Sequence, residues 1–419
     1  MYGGDLKIPV TPSPGSDPAF GSPKKSTQLA ILLAALSMLG PFSVDTYLPA
    51  FPAIQASLHV SAIEVQQTLT AYMLSFAFMM LWHGAISDAL GRRNIILVAL
   101  FVFAVASLGC AASHTIHYLW IFRVLQGLSA GAGMVVGRAI IRDLYSGPAA
   151  QRLLSLVTMI FSIAPAAAPI LGGWVLTITD WRSIFLFLFL YTVGLIWFCF
   201  RYLPESLPKE KRHEFSIPVL VDSYKAVFGS ASFHLQSATI AFNFAGLFLY
   251  VASAPIFLTR HLGLSAQQFG WQFVPMVGGI FLGALAANRL AGRIPLFQQV
   301  RIGYIFLAGA AVCNVAYHLI FPPAIPWSVL PLFFYAVGMS LVAPGVTLMT
   351  LDLFPKTRGI VASCQSCLVT FLAGIVAGVI APILDNSPVW LALGQSGFVC
   401  CAMLCWHLSK KAHNNLLMQ

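Results

Sequence analysis

The chain is short of charge. Of its 419 residues, 9% are Asp, Glu, Lys or Arg, against about 25% in a soluble domain. Acids are the scarcer sign, with 13 Asp and Glu against 23 Lys and Arg. Residues 1–26 are rich in Pro, Gly and Ser and lack the apolar core of a cleavable leader, so a disordered tail is expected there. A disulfide framework is also absent from the pattern. Cys110, Cys199, Cys313, Cys400, Cys401 and Cys405 fall in apolar runs, where cysteine packs as a small hydrophobe. Cys364 and Cys367 form a CxxC without a histidine or a second CxxC beside it, so neither metal nor redox chemistry is expected. There is no Ser-His-Asp set, no metal-ligand cluster and no glycine loop following a strand, which argues against an enzyme.

What is present is hydrocarbon. Hydrophobic residues make up 58% of the chain, and mean hydropathy is +0.83. Apolar runs of about 18 residues or more recur along it, as membrane spans require. Lipid satisfies no backbone group, so such spans must be helices. The expected spans are 28–50, 65–87, 94–113, 117–141, 152–177, 182–203, 233–258, 268–290, 301–321, 327–351, 359–384 and 388–408. The expected fold class is thus an all-α membrane protein with twelve transmembrane helices.

The net charge of +10 is explained by position rather than by a nucleic-acid partner. With alternating spans, every Lys and Arg but four falls on one face. Arg182 and Arg260 lie on the other, and Arg123 and Arg138 lie inside the fourth span. The positive-inside rule then places both termini in the cytoplasm. One long polar segment, 204–232, divides the spans into six and six. The expected organisation is a tail (1–26), a six-helix bundle (27–203), a cytoplasmic linker (204–232), a second bundle (233–408) and a tail (409–419). The halves echo each other: Asp143-Leu144-Tyr145 follows span 4 and Asp352-Leu353-Phe354 follows span 10. Two parallel halves around a midplane site are a transporter architecture.

Asp45 is the carboxylate set deepest in an apolar run. Such a group costs roughly 2.5–3.5 kcal/mol to insert and marks a functional site by default. Arg123 sits at matched depth in span 4, both roughly 8–9 Å from the outer end. A buried Arg needs a partner, so an Asp45–Arg123 pair is the expectation. Tyr47, Tyr72, Met73, Phe76, Gln126, Met159, Phe161, Asn243 and Gln365 are candidate lining of a substrate cavity. Arg138 is expected to clamp Asp88 or Asp143, and His114, His117 and His261 are expected to be solvated in outer loops.

Three strings are more specific. Gly84-Ala85-Ile86-Ser87-Asp88-Ala89-Leu90-Gly91-Arg92-Arg93 joins spans 2 and 3. It resembles the signature loop of the major facilitator superfamily, which latches the two halves on the cytoplasmic side. Ala89 and Asn94 depart from it, where a basic residue and a proline are usual. Arg123-Val124-Leu125-Gln126-Gly127 resembles the family's proton-coupling motif. Ala164-Pro165-Ala166-Ala167-Ala168-Pro169-Ile170-Leu171-Gly172-Gly173 resembles its antiporter motif, with Ala164 replacing the usual leading glycine. Pro41 with Asp45-Thr46-Tyr47-Leu48-Pro49, Trp181-Arg182 and Leu203-Pro204-Glu205-Ser206-Leu207 are similar to the drug/proton antiporter group, in particular the bicyclomycin and chloramphenicol (Bcr/CflA) efflux subgroup.

The resemblance implies two pseudo-symmetric six-helix bundles, the major facilitator fold. It implies a bacterial inner-membrane, proton-coupled exporter of small apolar compounds, carrying drug or antibiotic resistance. Asp45 and Arg123 would couple protons, Gly84, Asp88, Gly91, Arg92 and Arg93 would form the latch, and Pro165, Pro169, Gly172 and Gly173 would shape the antiporter helix. No cofactor beyond the proton, no metal and no nucleic acid are expected. The partners are substrate and lipid, and the chain is expected to act as a monomer. A proton-coupled transporter of a metabolite, siderophore or sugar with the same fold stays open, as does a non-transporting receptor.

Overall fold

The computed structural model of the chain describes residues 23–212, 215–355 and 357–417. Among them there is no strand. The first half holds α1 (Pro23–Asp45), α2 (Phe51–Leu58), α3 (Ala62–Leu90), α4 (Arg92–Ala111), α5 (Ile116–Ala130), α6 (Ala132–Leu144), α7 (Gly147–Phe161), α8 (Ala164–Ile178) and α9 (Arg182–Tyr202). A linker helix, α10 (Ile217–Phe228), follows. The second half holds α11 (Ala231–Ala252), α12 (Ala254–Ile256), α13 (Gly270–Leu290), α14 (Leu296–Ile320), α15 (Leu330–Asp352), α16 (Arg358–Ile375), α17 (Ala381–Leu384) and α18 (Pro388–Leu417).

These segments make 12 runs long and apolar enough to cross a membrane, matching the expected spans one for one. The ends differ. The first helix begins at Pro23, inside the segment expected as a tail, while residues 1–22 lie outside the described residues. Span 1 runs on to Leu58 rather than stopping at residue 50. The linker is partly helical, and α18 continues through Leu417 beyond the expected end at residue 408.

Several spans are interrupted where proline or glycine sits. Pro49 and Pro52 follow Asp45; lacking N–H groups, they cannot extend the helix ladder. A short 3-10 turn, Leu48–Ala50, links α1 to α2. Span 5 bends between α7 and α8, with Pro165 in the first turn and Pro169 inside. In the second half, five-residue π-turns at Phe257–His261 and Val376–Ile380 interrupt spans 7 and 11. Such turns leave carbonyls in need of other donors.

The twelve helices form two six-helix bundles. In the first, α3 packs on α5, α4 on α5 and α9, and α1 on α6, α7 and α8. In the second, α11 packs on α15, α16 and α18, and α14 on α15 and α18. Lipid supplies no hydrophobic drive between helices, so small residues that admit close contact decide the packing. Gly127 is one: a side chain there would collide with Ser75 and the Tyr72 carbonyl.

Loops alternate between two faces, here termed basic and far. The bundles meet along a seam, where α8 packs on α13 at the far face and where α3 packs on α16 and its π-turn; the α3–α16 contact runs on toward the basic face, where Met80 meets Thr370 and Leu81 packs with Val361 and Cys364. Toward the basic face, α7 packs on α1 and α6 of its own bundle, and Met159 is exposed. A cavity of about 440 Å³ opens there beside Gln151, Ser155 and Met159. Around α8 the seam is closed toward the far face, and among the described residues α7 makes no comparable contact with the second bundle toward the basic face.

Candidate functional site

Asp45 is the last residue of α1. Because span 1 continues to Leu58, the acid lies near the middle of that span. It is buried, keeping 6% of its surface. Among the described residues no hydrogen bond or ion pair reaches its carboxylate. The Tyr72 phenol is close enough to feel its charge.

Arg123, on α5, is fully buried. Its Nη1 donates to the Ser43 carbonyl at 3.2 Å, the Ser43 hydroxyl at 2.9 Å and Gln126 Oε1 at 2.9 Å. Its guanidinium carbon lies 4.7 Å from the Tyr47 ring centre and 4.3 Å from that of Tyr72. Nε and Nη2 have no partner. The expected ion pair with Asp45 is therefore not formed in this conformation. The cation faces Ser43, two residues before the acid, and two aromatic faces replace the carboxylate. A desolvated cation–π contact is worth about 2 kcal/mol or more, against a penalty of several kcal/mol for burying the ion.

A second layer holds this cage in place. Tyr47 Oη lies 2.7 Å from Thr68 Oγ1. Gln126 Nε2 donates to Ser107 Oγ at 2.8 Å. Tyr47, Tyr72 and Gln126 were expected to line a cavity. The structure corrects this: they are buried in the cage, spent on Arg123. Ser43, Ser107 and Thr68 were missed, since a small hydroxyl in an apolar run carries no signal of its own.

The other lining candidates scatter. Phe76 stacks on Tyr72 with centroids 5.9 Å apart, and Met73 is buried against Gly374 across the seam. Met159 and Phe161 sit on α7, Met159 exposed and Phe161 half-buried. Asn243 is buried within the second bundle, where its Nδ2 donates to Tyr304 Oη at 3.4 Å. Gln365 Nε2 donates to Thr350 Oγ1 at 3.2 Å, joining α16 to α15. Asn243 and Gln365 thus bond helix to helix rather than face open space.

The antiporter-motif glycines act as spacers on both sides of α8. A Cβ on Gly172 would run into the Thr46 backbone, one residue after Asp45. A Cβ on Gly173 would run into the Ala266 carbonyl of the second bundle. The bend that ends on the acid and the seam between bundles are therefore separated by one helix.

At the basic face the signature loop forms a charged knot. Arg92 pairs with Asp88 and, through Nε, with Asp143 Oδ2 at 3.1 Å. Its backbone N–H donates to Glu205 Oε1 at 3.0 Å, and Glu205 also meets Arg212 at 3.5 Å. Arg93 Nη2 donates to the Phe200 carbonyl at 2.6 Å. Gly91 has φ +99°, and a Cβ there would lie 2.5 Å from Glu205 and Arg212, so only glycine fits. A Cβ on Gly84 would meet Val135 at ordinary contact distance, 3.9 Å. These partners belong to the first bundle and the linker, so among the described residues no ion pair or hydrogen bond of the loop latches it to the second bundle in this conformation. Arg138 does not take the clamp expected of it; Asp88 and Asp143 both go to Arg92. His261 is no solvated bystander either, since its Nε2 donates to the Asp385 carbonyl at 2.7 Å.

The sequence matches the family profile described as Major Facilitator Superfamily over residues 33–378. It is 32% identical over 379 residues to YdgK, an uncharacterized MFS-type transporter of Bacillus subtilis, covering 90% of this chain and 93% of that relative. It is 30% identical to a bicyclomycin resistance protein homolog of Haemophilus influenzae over 68% of this chain and 73% of the other. It is 27% identical to multidrug resistance protein D of Escherichia coli, covering 91% and 96% respectively. Among solved structures, a D-xylose-proton symporter superposes with a TM-score of 0.72 at 14% identity, covering 91% of this chain and 97% of that one; this likeness speaks to the fold alone.

Proposed function

Because the chain belongs to the Major Facilitator Superfamily, we propose that this multi-pass membrane transporter exports small, largely apolar compounds in exchange for protons. The names of two relatives, a multidrug and a bicyclomycin resistance protein, support the drug class. The bacterial relatives support an inner-membrane setting, and the loop charges support placing the basic face in the cytoplasm. The conformation described is then open to the cytoplasm. We read the chain as a monomer that needs lipid, substrate and proton and no further cofactor.

One observation carries the coupling. A buried acid without a counter-ion lies two residues from Ser43, which engages a caged cation that has two unused N–H donors. In this reading Asp45 loses its proton to the cytoplasm and substrate enters. The bundles rock, substrate leaves at the far face, and a proton returns to Asp45 there. Arg123 Nε and Nη2 are available to take the carboxylate in the alternate state. A proton moving inward gains about 1.4 kcal/mol per pH unit and about 2.3 kcal/mol per 100 mV. One pH unit and 100 mV together set a ceiling of roughly several hundredfold on the gradient of a neutral substrate exchanged for one proton.

The test is pH-driven substrate flux in everted membrane vesicles. Asp45→Asn is expected to abolish coupled efflux while the protein stays folded in the membrane, and Arg123→Ala to do comparable damage. Full pH-driven efflux in the Asp45→Asn variant would overturn the assignment. Proton-coupled flux in the opposite direction would identify an importer of the same fold.

A further inference from the structure

The far end of the seam is closed without ions. Among the described residues the ion pairs lie within one bundle or inside the linker. Two hydrogen bonds from amides do cross it there, and a weaker one, Thr370 Oγ1 to Met80 Sδ at 3.5 Å, joins α16 to α3 nearer mid-span. Gln66 Nε2 donates to the Ala252 carbonyl at 3.1 Å, and Gln67 Nε2 donates to the Gly378 carbonyl at 2.8 Å. Both donors are on α3, and successive helix positions are turned by about 100° from each other. One residue therefore reaches span 7 and the next reaches span 11.

The acceptors are carbonyls that the second bundle leaves spare. Ala252 is the last residue of α11, and terminal carbonyls lack intrahelical donors. Gly378 lies in the π-turn of span 11, four residues before Pro382, whose nitrogen has no hydrogen to close the ordinary turn. Beside these bonds, α3 lies directly on two glycines one turn apart. A Cβ on Gly378 would sit 2.6 Å from Thr70, and one on Gly374 would sit 2.8 Å from Leu74.

We propose that Gln66 and Gln67 are gating residues, a paired amide clasp on the Ala252 and Gly378 carbonyls that holds the far end of the seam shut and sets the share of molecules open to the basic face. The inference rests on the transporter reading and on no particular substrate. Neutral partners suit the task. When the seam opens, water replaces each amide at its carbonyl, and no ion has to be stripped or rehydrated in the cycle. An apolar residue at either position leaves a carbonyl unpaired in the closed state alone, so the equilibrium moves toward the far-open state.

The experiment is pulsed electron-electron resonance on the full chain in lipid. Spin labels go at Ser57 and Ser265, which line the far-face cavity from opposite bundles, after replacement of the native cysteines. In the Gln66→Leu/Gln67→Leu double variant, the long-distance population is expected to rise about tenfold, with each single variant giving part of the rise. Pro382→Ala supplies a competing donor to Gly378 without touching α3 and is expected to shift the distribution the same way by less. A folded double variant with an unchanged distribution overturns the proposal. Should that variant fail to insert, unchanged distributions in both single variants and in Pro382→Ala overturn it equally. Distances move or stay whether or not any compound is pumped, so this outcome is separate from the fate of the export reading.

Discussion

A guanidinium shut away from water with no carboxylate beside it must be solvated by something else, and at Arg123 that is two phenol rings and three oxygens. The ring faces matter more than the hydroxyls. Tyr72 Oη makes a long bond of 3.4 Å, to the Gly40 carbonyl, and lies near Ser43, whose hydroxyl is already engaged by Arg123. Tyr72→Phe is therefore expected to keep pH-driven efflux within about twofold. Tyr72→Leu removes a desolvated cation–π contact of about 2 kcal/mol and is expected to cut efflux by roughly an order of magnitude. Equal damage from both variants would show that the hydroxyl, not the ring, holds the cation. The identity of Asp45 and Arg123 as unusual groups was legible in the sequence, because an ion in an apolar run stands out. Their actual partners were not. Ser43, Thr68 and Ser107 are ordinary residues until the helices are side by side.

At the scale of elements, the breaks are as informative as the helices. Prolines in span 5 marked its bend in advance. The extension of span 1 through α2 was hidden because Pro49 and Pro52 read as the end of a helix, and α10 was hidden behind the charges that precede it. The far-face ends of spans 7 and 11 are joined by a contact that sequence reading missed, His261 to the Asp385 carbonyl. Asp385 is buried between α17 and α18, and burial pushes its carboxyl up to about 6, against the opposing pull of His261 and Arg260. A carboxyl raised above its unfolded value favours the folded state only while protonated. Its penalty is absent below about pH 4, grows as pH rises toward 6 and is complete above that. Asp385→Asn is thus expected to raise the thermal midpoint by about 2–4 °C at pH 8 and by less at pH 5, measured on purified protein in detergent. A gain of the same size at both pH values would contradict the burial argument.

For the whole molecule, the disposition of the bundles decides which surfaces meet water. The α8–α13 contact shuts the far end beside α8, while toward the basic end α7 packs mainly on α1 and α6 of its own bundle. Met159→Cys is therefore expected to react with a membrane-impermeant thiol reagent in everted vesicles and to resist it in intact cells, with native cysteines replaced in both cases. The reverse pattern would invert the assignment of the basic face to the cytoplasm.

The sequence by itself determined that the chain crosses a membrane twelve times, in two groups of six, with its basic loops on one face. Run length and loop charge are local quantities, and lipid allows little else to be built from them. Only the tertiary structure decided which buried groups meet: that Arg123 faces aromatic rings rather than Asp45, that α8 stands between the acid's bend and the seam, and that two glutamines close the far end on carbonyls freed by helix ends. Those outcomes depend on how six interrupted helices rotate and lean against six others. Such angles arise from packing between residues far apart along the chain, where no local pattern records them.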